Sequence, residues 1–325
     1  MKMITQSKAR SYWSAVVGVL LGLALGGCNQ VDTNRLSTAK NDLPQVVATS
    51  TIIADWAEKV GGEEIELIGL LQPGVDPHVY EPTPADSRVL ETADLILYNG
   101  YNLEPGLINL MNGAGENVPK IAVGEVVKPL QSDAYEGTVV PDPHVWGSAA
   151  NAMAMINVIR DELIKLSPAE QAEFTQRASV LTDELQQLHN WINQQIQTIP
   201  PGKRQLVTTH DAFQYYGQAY GMTMAGTLIG ISTEEQPSAQ TVQRLVESIK
   251  KTNAPAIFAE TTINPALIKT VAEEAGVKLA PHQLYSDSIG AKGSDADSYV
   301  KMMVANTRTI VQALGGNYTP FRPRN

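Results

Sequence analysis

From about residue 45 onward, short runs of β-branched and apolar residues alternate with stretches whose apolar positions recur at helical spacing. "VVATSTI" is strand-like, "IIADWAEKVGG" is helix-like with a glycine stop, and "EEIELIGLLQ" is strand-like again. Thr83, Pro84 and Asp86 have the makings of a helix start: a capping hydroxyl, a proline in the first turn and an acid near the positive end. "ADLILYNG" and "KIAVGEVV" follow as strands. The second half repeats this grammar without repeating the sequence. "RQLVTTH" and "APAIFAET" read as strands, and "DAFQYYGQAYG" as a helix ending at Gly221. Asn264-Pro265 opens a helix that Gly276 closes, "VKLAPHQLYSD" begins as a strand, and "ADSYVKMMVANTRTIVQALGG" is a terminal helix. Strands alternating with helices predict parallel sheets covered on both faces.

Between the halves lies the clearest helix. Ser167-Pro168-Ala169-Glu170 has the form of a capping box with proline at the first helical position. Phe174, Ala178, Leu181, Leu185, Leu188 and Ile192 then recur at steps of four and three, forming one apolar stripe that Pro200-Pro201-Gly202 terminates. Some thirty residues at ~1.5 Å each make a rod of roughly 45 Å, long for the core of one small lobe. The expected architecture is therefore α/β: two Rossmann-like lobes with parallel sheets, residues 45–166 and 201–325, joined by one long rigid helix over residues 167–200.

The N-terminus is patterned for export. Lys2, Lys8 and Arg10 precede the apolar stretch "SAVVGVLLGLALGG", which is short for a membrane span and is followed at once by Cys28. Leu25-Gly26-Gly27-Cys28 has the form of a bacterial lipobox, so residues 1–27 are expected to be a signal peptide and Cys28 the lipidated first residue of the mature chain. An ordinary signal peptide that leaves an unpaired thiol is the alternative. Residues 28–44 are polar and unpatterned, as a lipid tether would be. The only cysteine excludes an internal disulfide and any cysteine-based metal site. The whole chain carries a formal charge of −10; the leader holds three basic and no acidic residues, so the mature chain stands at about −13. Such a surplus of acid argues against nucleic acid as a partner.

The histidines are placed unusually. His78 sits in "QPGVDPHVYEPTPAD", between prolines, and His144 in "PDPHVWGS" repeats the Asp-Pro-His-Val tetrad. A proline just before the imidazole fixes the backbone and leaves little entropy to lose on binding. His210 ends the strand "LVTTH", and Asp287 follows the last strand of the second half; ligands in open α/β sheets bind outside the carboxyl ends of strands. Two of these groups come from each lobe, and together they would close one metal site in an interlobe cleft. His189, beside Trp191, reads as a helix-surface residue. His282 is the spare candidate ligand, and Glu234, Glu235 and Glu260 are either supports for ring N–H groups or solvated acids.

The stretches "PGVDPHVYEPTPAD", "DPHVW", "VTTHDAFQYYGQAYG", "GISTEEQPS", "IFAETT" and "YSDSIG" resemble the metal-binding receptors of bacterial ABC importers for zinc and manganese. These are the TroA, PsaA and ZnuA kind, solute-binding protein family 9 (cluster A-I). The resemblance runs from about residue 45 to the C-terminus. It implies two α/β lobes, a rigid linking helix, metal ligands at His78, His144, His210 and Asp287, and a monomer that hands one ion to an ABC importer permease. It also implies a protein that is no enzyme, anchored by lipid to the membrane and facing the periplasm or the cell exterior. Departures are visible. Gly147-Ser148 stand where the family usually has an acid or amide soon after "DPHVW", with Ser148 available as a helix cap. "QSDAYEGTVVPD" lacks the histidines of zinc-specific members, and His210 stands where manganese-specific relatives often have glutamate. Three imidazoles and a carboxylate suit zinc, whereas manganese prefers more oxygen. The subgroup resembled includes carriers of manganese, zinc or iron, so the metal stays open between Zn2+ and Mn2+, with iron behind. A zinc hydrolase would need an open coordination position and a general base; four candidate ligands and no HExxH argue against it. A metal-binding surface adhesin would carry the same anchor and ligands and remains the alternative.

Overall fold

A computed structural model describes residues 43–133 and 139–324. The leader, Cys28 and the tether up to residue 42 lie outside the described residues.

The first lobe is built on four parallel strands. In chain order it runs β1 (Gln45–Ala48), α1 (Thr51–Gly61), β2 (Glu66–Gly69), α2 (Pro84–Thr92), β3 (Leu95–Tyr98), α3 (Pro105–Met111) and β4 (Lys120–Ala122), with sheet order β2-β1-β3-β4. Val46 pairs with both Leu67 and Leu95, so β1 is central. Its apolar run is continuous because both faces are covered. Val46, Ala48, Leu95 and Leu97 enter the main core with Trp56 of α1, while Val47 and Ile96 pack under Leu90, Leu107 and Met111. The strand stops sooner than "VVATSTI" suggests. Ser50 takes an extended backbone and its hydroxyl accepts the N–H of Ile53, which starts α1 two residues after the strand ends. The start of α2 is as expected: Thr83 Oγ1 accepts from Ala85 and Asp86, and Asp86 Oδ2 accepts the Thr83 N–H at 2.6 Å.

A short antiparallel pair, β5 (Gln131–Asp133) and β6 (Val139–Pro141), leads to α4 (Ala149–Leu166) and then α5 (Gln171–Gln197). The six residues of the predicted stripe are all buried in the main core. At 27 residues α5 is a rod of about 40 Å. Its start differs from the capping box read in the sequence. Ser167 closes α4 through its N–H to Leu163, and Pro168–Glu170 form one 3₁₀ turn in which Glu170 N–H donates to the Ser167 carbonyl. The serine hydroxyl makes no cap because Ser167 ends one helix rather than opening the next.

The second lobe contains β7 (Gln205–Thr208), α6 (Gln214–Tyr220), β8 (Thr223–Thr227), α7 (Ala239–Thr252), β9 (Ala256–Ile257), α8 (Ala266–Ala275), β10 (Lys278–Leu279) and α9 (Tyr299–Ala313). Strands β7–β8 and β9–β10 pair in parallel, and the Phe258 N–H joins the pairs by donating to Val207 O. Gly221 and Gly276 end α6 and α8 in the left-handed conformation. The sequence reading does not include β8 or α7. Helix α9 packs on α5 and reaches α1, where Tyr299 meets Trp56 edge-on and donates its N–H to Asp55. The main core thus continues from one lobe to the other along α5. No helix among the described residues is long and apolar enough to cross a membrane.

Candidate metal centre

The repeated Asp-Pro-His segments prove to be one turn used twice. Asp76 Oδ1 accepts the backbone N–H of His78, and Asp142 Oδ1 accepts that of His144, each at 2.9 Å. Each aspartate folds the chain back over a proline with fixed φ, so the imidazole leaves the loop in a set direction. The two aspartates then diverge. Asp142 also takes the Nδ1 of its own histidine at 2.8 Å, whereas Asp76 Oδ2 turns across the cleft to accept from Thr233 at 2.7 Å. His210 leaves the carboxyl end of β7, where its N–H donates to Glu260 Oε1 at 2.9 Å and its Nδ1 lies against Glu260 Oε2. Asp287 Oδ2 accepts from Thr262 and Ser286 at 3.3 and 3.2 Å.

These four side chains converge. One ligand atom from each of His78, His144, His210 and Asp287 lies within 4.8 Å of every other. His78 Nε2 is 3.2 Å from His144 Nε2, and the Nε2 atoms of His144 and His210 are each 3.4 Å from an oxygen of Asp287. A tetrahedral ion with bonds of ~2.0–2.1 Å sets its ligands ~3.3 Å apart, so these three contacts are near the spacing of a coordination shell and the remaining pairs lie within 4.8 Å. None of the four residues is more than 3% exposed. Asp142 meets His144 Nδ1 and Glu260 lies against His210 Nδ1, so in the neutral rings the proton is favoured on Nδ1 and Nε2 is left for the centre. Nitrogens and carboxylate oxygens this close must share protons or a cation, and one metal ion would satisfy all four groups at once. His210 Nδ1 and Nε2, Glu260 Oε2 and Asp287 Oδ1 are all buried without an aligned hydrogen-bond partner among the described residues; Nδ1 and Oε2 lie against each other, while Nε2 and Oδ1 stand within the cluster.

The electrostatics follow from the same crowding. Burial pushes His78 down to about 3, so its ring is neutral at any ordinary pH. Burial also opposes charge on His210, but the carboxylates of Glu260 and Asp287 outweigh it and hold that ring well above the usual histidine range. Burial would raise Asp287, and the imidazoles, His210 first, more than offset this and draw its carboxyl below the usual range. With only protons to balance it, the cluster keeps one on His210. A bound cation would take over that charge. The site can hold one metal ion.

Other candidates separate cleanly. His282 is exposed and stands outside the cluster. His189 is not a plain surface residue: it is half-buried, with its ring 5.3 Å from that of Tyr220. Of the three glutamates, Glu260 supports a ring N–H, Glu234 is exposed and Glu235 half-buried. Ser148 precedes α4 but its hydroxyl caps nothing; the first helical N–H, that of Ala149, donates instead to Tyr220 Oη of α6. Gly147 is small because α6 packs there, and a Cβ would come within 3.2 Å of the Tyr216 nitrogen.

Sequence reasoning passes over the residues that hold the lobes together around the centre. Trp146 packs on His144 and donates its Nε1 hydrogen to Ser286 O, next to Asp287. Ser288 Oγ accepts the N–H of Gly74 at 2.8 Å and meets Thr51 Oγ1 at 3.2 Å. Tyr299 Oη donates to Trp146 O. A cavity of about 700 Å3 opens over His78, lined by Tyr98, Tyr101, Glu125, Ile231 and Glu235.

The family model described as ZnuA, zinc-uptake complex component A, periplasmic, matches residues 46–313. The chain is similar to the manganese-binding lipoprotein MntA of Bacillus subtilis, at 35% identity over 90% of this chain and 95% of that one. It is similar to the zinc-binding protein TroA of Treponema pallidum, at 36% identity over 85% and 90% of the two chains. The solved structure of the periplasmic zinc-binding protein TroA from Treponema pallidum superposes with a TM-score of 0.79 at 35% identity, covering 83% of this chain and 99% of that one.

Proposed function

The chain belongs to the family of ZnuA, zinc-uptake complex component A, periplasmic, and on that premise we propose that it is an extracytoplasmic receptor for a divalent transition metal. It captures one zinc or manganese ion in the interlobe cleft through His78, His144, His210 and Asp287. It then delivers the ion to the permease of an ABC importer. The observation that carries the reading is the convergence of three imidazole Nε2 atoms and a carboxylate, all buried, at coordination spacing. Relatives named as manganese-binding and zinc-binding proteins support the cargo class, and others named as ABC transporter substrate-binding lipoproteins support the partner and the lipid anchor. Cys28 is the residue we assign to lipidation; in Cys28→Ser the protein should leave the detergent phase on partitioning.

The centre is built to hold an ion rather than to do chemistry with it. Four protein ligands fill a tetrahedral shell, whereas a catalytic zinc keeps a position open for water. Three imidazoles and one carboxylate favour zinc over manganese by ligand chemistry. Competition titration of the protein with Zn2+ and Mn2+ against a chromophoric chelator tests capture. One ion should bind per chain, and Asp287→Ala should abolish tight binding. Stoichiometric binding that survives Asp287→Ala would place the ion elsewhere. Loss of zinc or manganese accumulation in cells lacking the protein tests delivery and separates a transport receptor from an adhesin.

A further inference from the structure

We propose that Glu260 is the residue that positions His210 and, through it, sets the preference for zinc over manganese; this rests on the metal-receptor reading. The case begins with the number of donors Glu260 must satisfy. Its side chain is fully buried three residues beyond β9, and it meets two nitrogens of one residue: Oε1 accepts the backbone N–H of His210, and Oε2 lies in close, unaligned contact with the ring Nδ1. Two acceptor oxygens are therefore needed. Glutamate has them, while glutamine has one oxygen and one amide nitrogen.

If a glutamine oxygen kept the backbone N–H, its NH2 group would face Nδ1. That donor can be met only if Nδ1 gives up its proton, and the neutral ring would then carry its proton on Nε2, the atom aimed at the centre. If the oxygen instead kept the ring N–H, the backbone N–H of His210 would face another donor. Either arrangement disturbs the ligand although the shape of the side chain is unchanged. The backbone of Glu260 is itself fixed beside the second ligand of this lobe. It bridges to Leu284, its carbonyl accepts from Gln283, and Thr262 two residues on donates to Asp287. One short segment thus orients both ligands of the second lobe.

The effect on selectivity follows from donor strength. A carboxylate on Nδ1–H makes Nε2 a stronger nitrogen donor, which benefits zinc more than a metal that prefers oxygen. His78, by contrast, has its backbone N–H accepted by Asp76 and no carboxylate on its ring among the described residues.

The test uses the whole protein, Zn2+ and Mn2+, and the isosteric variant Glu260→Gln. Zinc affinity should fall about tenfold or more, manganese affinity should fall less, and the thermal midpoint of the metal-free protein should stay within a few degrees. In zinc-loaded wild type, nitrogen-15 NMR should place zinc on His210 Nε2 and a slowly exchanging downfield proton on Nδ1. This second measurement stands if the variant fails to fold. Unchanged zinc affinity in Glu260→Gln, equal losses for the two metals, or a His210 Nδ1 without its proton in the loaded wild type would overturn the proposal. Failure of the wild type to bind either metal would instead sink the receptor reading on which it rests.

Discussion

Replacing His210 by glutamate is the substitution that ligand chemistry recommends for turning the site toward manganese, and the structure predicts that alone it will fail. The new carboxylate would stand near Asp287, whose Oδ2 lies 3.4 Å from the imidazole it replaces, and beside Glu260, which loses its ring N–H partner. Three carboxylates would then share one buried pocket. Leaving a buried charge without its partner costs ~3–5 kcal/mol, and one dication can offset only part of it. His210→Glu should therefore weaken both metals, zinc by about a hundredfold or more (each decade being ~1.4 kcal/mol). The double variant His210→Glu/Glu260→Gln removes the surplus charge. Its glutamine oxygen keeps the backbone N–H of residue 210, and its NH2 donates to the new carboxylate. Manganese should recover to within about tenfold of wild type while zinc stays at least about tenfold down, moving the ratio by ~1.4 kcal/mol or more. Competition titrations of wild type, single and double variants at one pH and ionic strength measure this. If the single variant turns to manganese without loss, or the double is no better than the single, the charge on Glu260 is not the obstacle and the reasoning is wrong.

Other expectations concern the fold and the contacts between the lobes. Glu104 is buried, and burial pushes its carboxyl up to about 7, with Oε2 lacking a partner among the described residues. The unfolded chain loses this proton near 4.5 and the folded one keeps it to about 7. Stability should therefore fall by ~3 kcal/mol as pH rises through that window. Urea unfolding of wild type and Glu104→Gln from pH 4 to 8 should show the decline only in wild type; parallel profiles would refute the assignment. The C-terminal segment after Gly316 straps α5: Tyr318 and Phe321 pack on Trp191, and Gln195 and Gln187 exchange paired hydrogen bonds with Thr319 and Arg324. Truncation there should cost about 2–4 kcal/mol in urea unfolding with metal affinity unchanged; no loss would mean the strap is incidental. Ser288→Ala removes the hydroxyl that meets Gly74 and Thr51 of the other lobe, so zinc release to a chelator in stopped flow should speed up by about tenfold. An unaltered rate would mean that this contact does not limit exit.

How much of this is legible in the sequence depends on range. Local signals read well. The capping box at Thr83, the glycine stops at positions 221 and 276 and the stripe from Phe174 to Ile192 are set by neighbours within one or two turns. Ser167 misleads because its pattern fits a helix start, whereas the structure uses it to finish α4, and only the tight α4–α5 turn decides between the two. Strand β8 escapes because "TMAGT" is β-branched only at its two ends and has alanine and glycine, poor strand formers, between them; its pairing with β7, with a register shift at Leu206/Val207, supplies what its composition does not. Helix α7 has a clear apolar face in Leu245, Val246 and Ile249, so it is an omission of reading rather than a hidden element. At the centre, the four converging residues are marked by a repeated tetrad and by strand ends. The supports are not. The one for His144 is two residues away in the same tetrad, as Asp142, but the one for His210 is Glu260, fifty positions along the chain. Nothing local distinguishes Glu260 from Glu234 or Glu235.

The contacts around the centre also bear on what metal binding can be used for. Trp146 reaches Ser286, Tyr299 reaches Trp146 and Asp55, and Ser288 reaches Gly74 and Thr51. Among these groups only Trp146 touches a ring of the cluster, and none of these links runs through the metal position. A continuous core along α5 adds to them. The lobes therefore do not depend on the metal to be held together, unlike a hinge that closes on its cargo. Binding energy that is not spent on closure is available to discriminate between ions whose preferred ligands differ by one atom. It acts on a cluster in which nitrogens and carboxylate oxygens already stand 3.2–3.4 Å apart. Such a cluster is, at this spacing, selective about its geometry. Release must then come from disturbing one ligand at a time. The two histidines whose rings are backed by carboxylates are the least able to move. Asp287 is bracketed by Ser286 and Ser288, both tied to the other lobe. That leaves His78, on a proline-bounded loop under the open cavity, as the proposed ligand whose ring has no carboxylate behind it among the described residues.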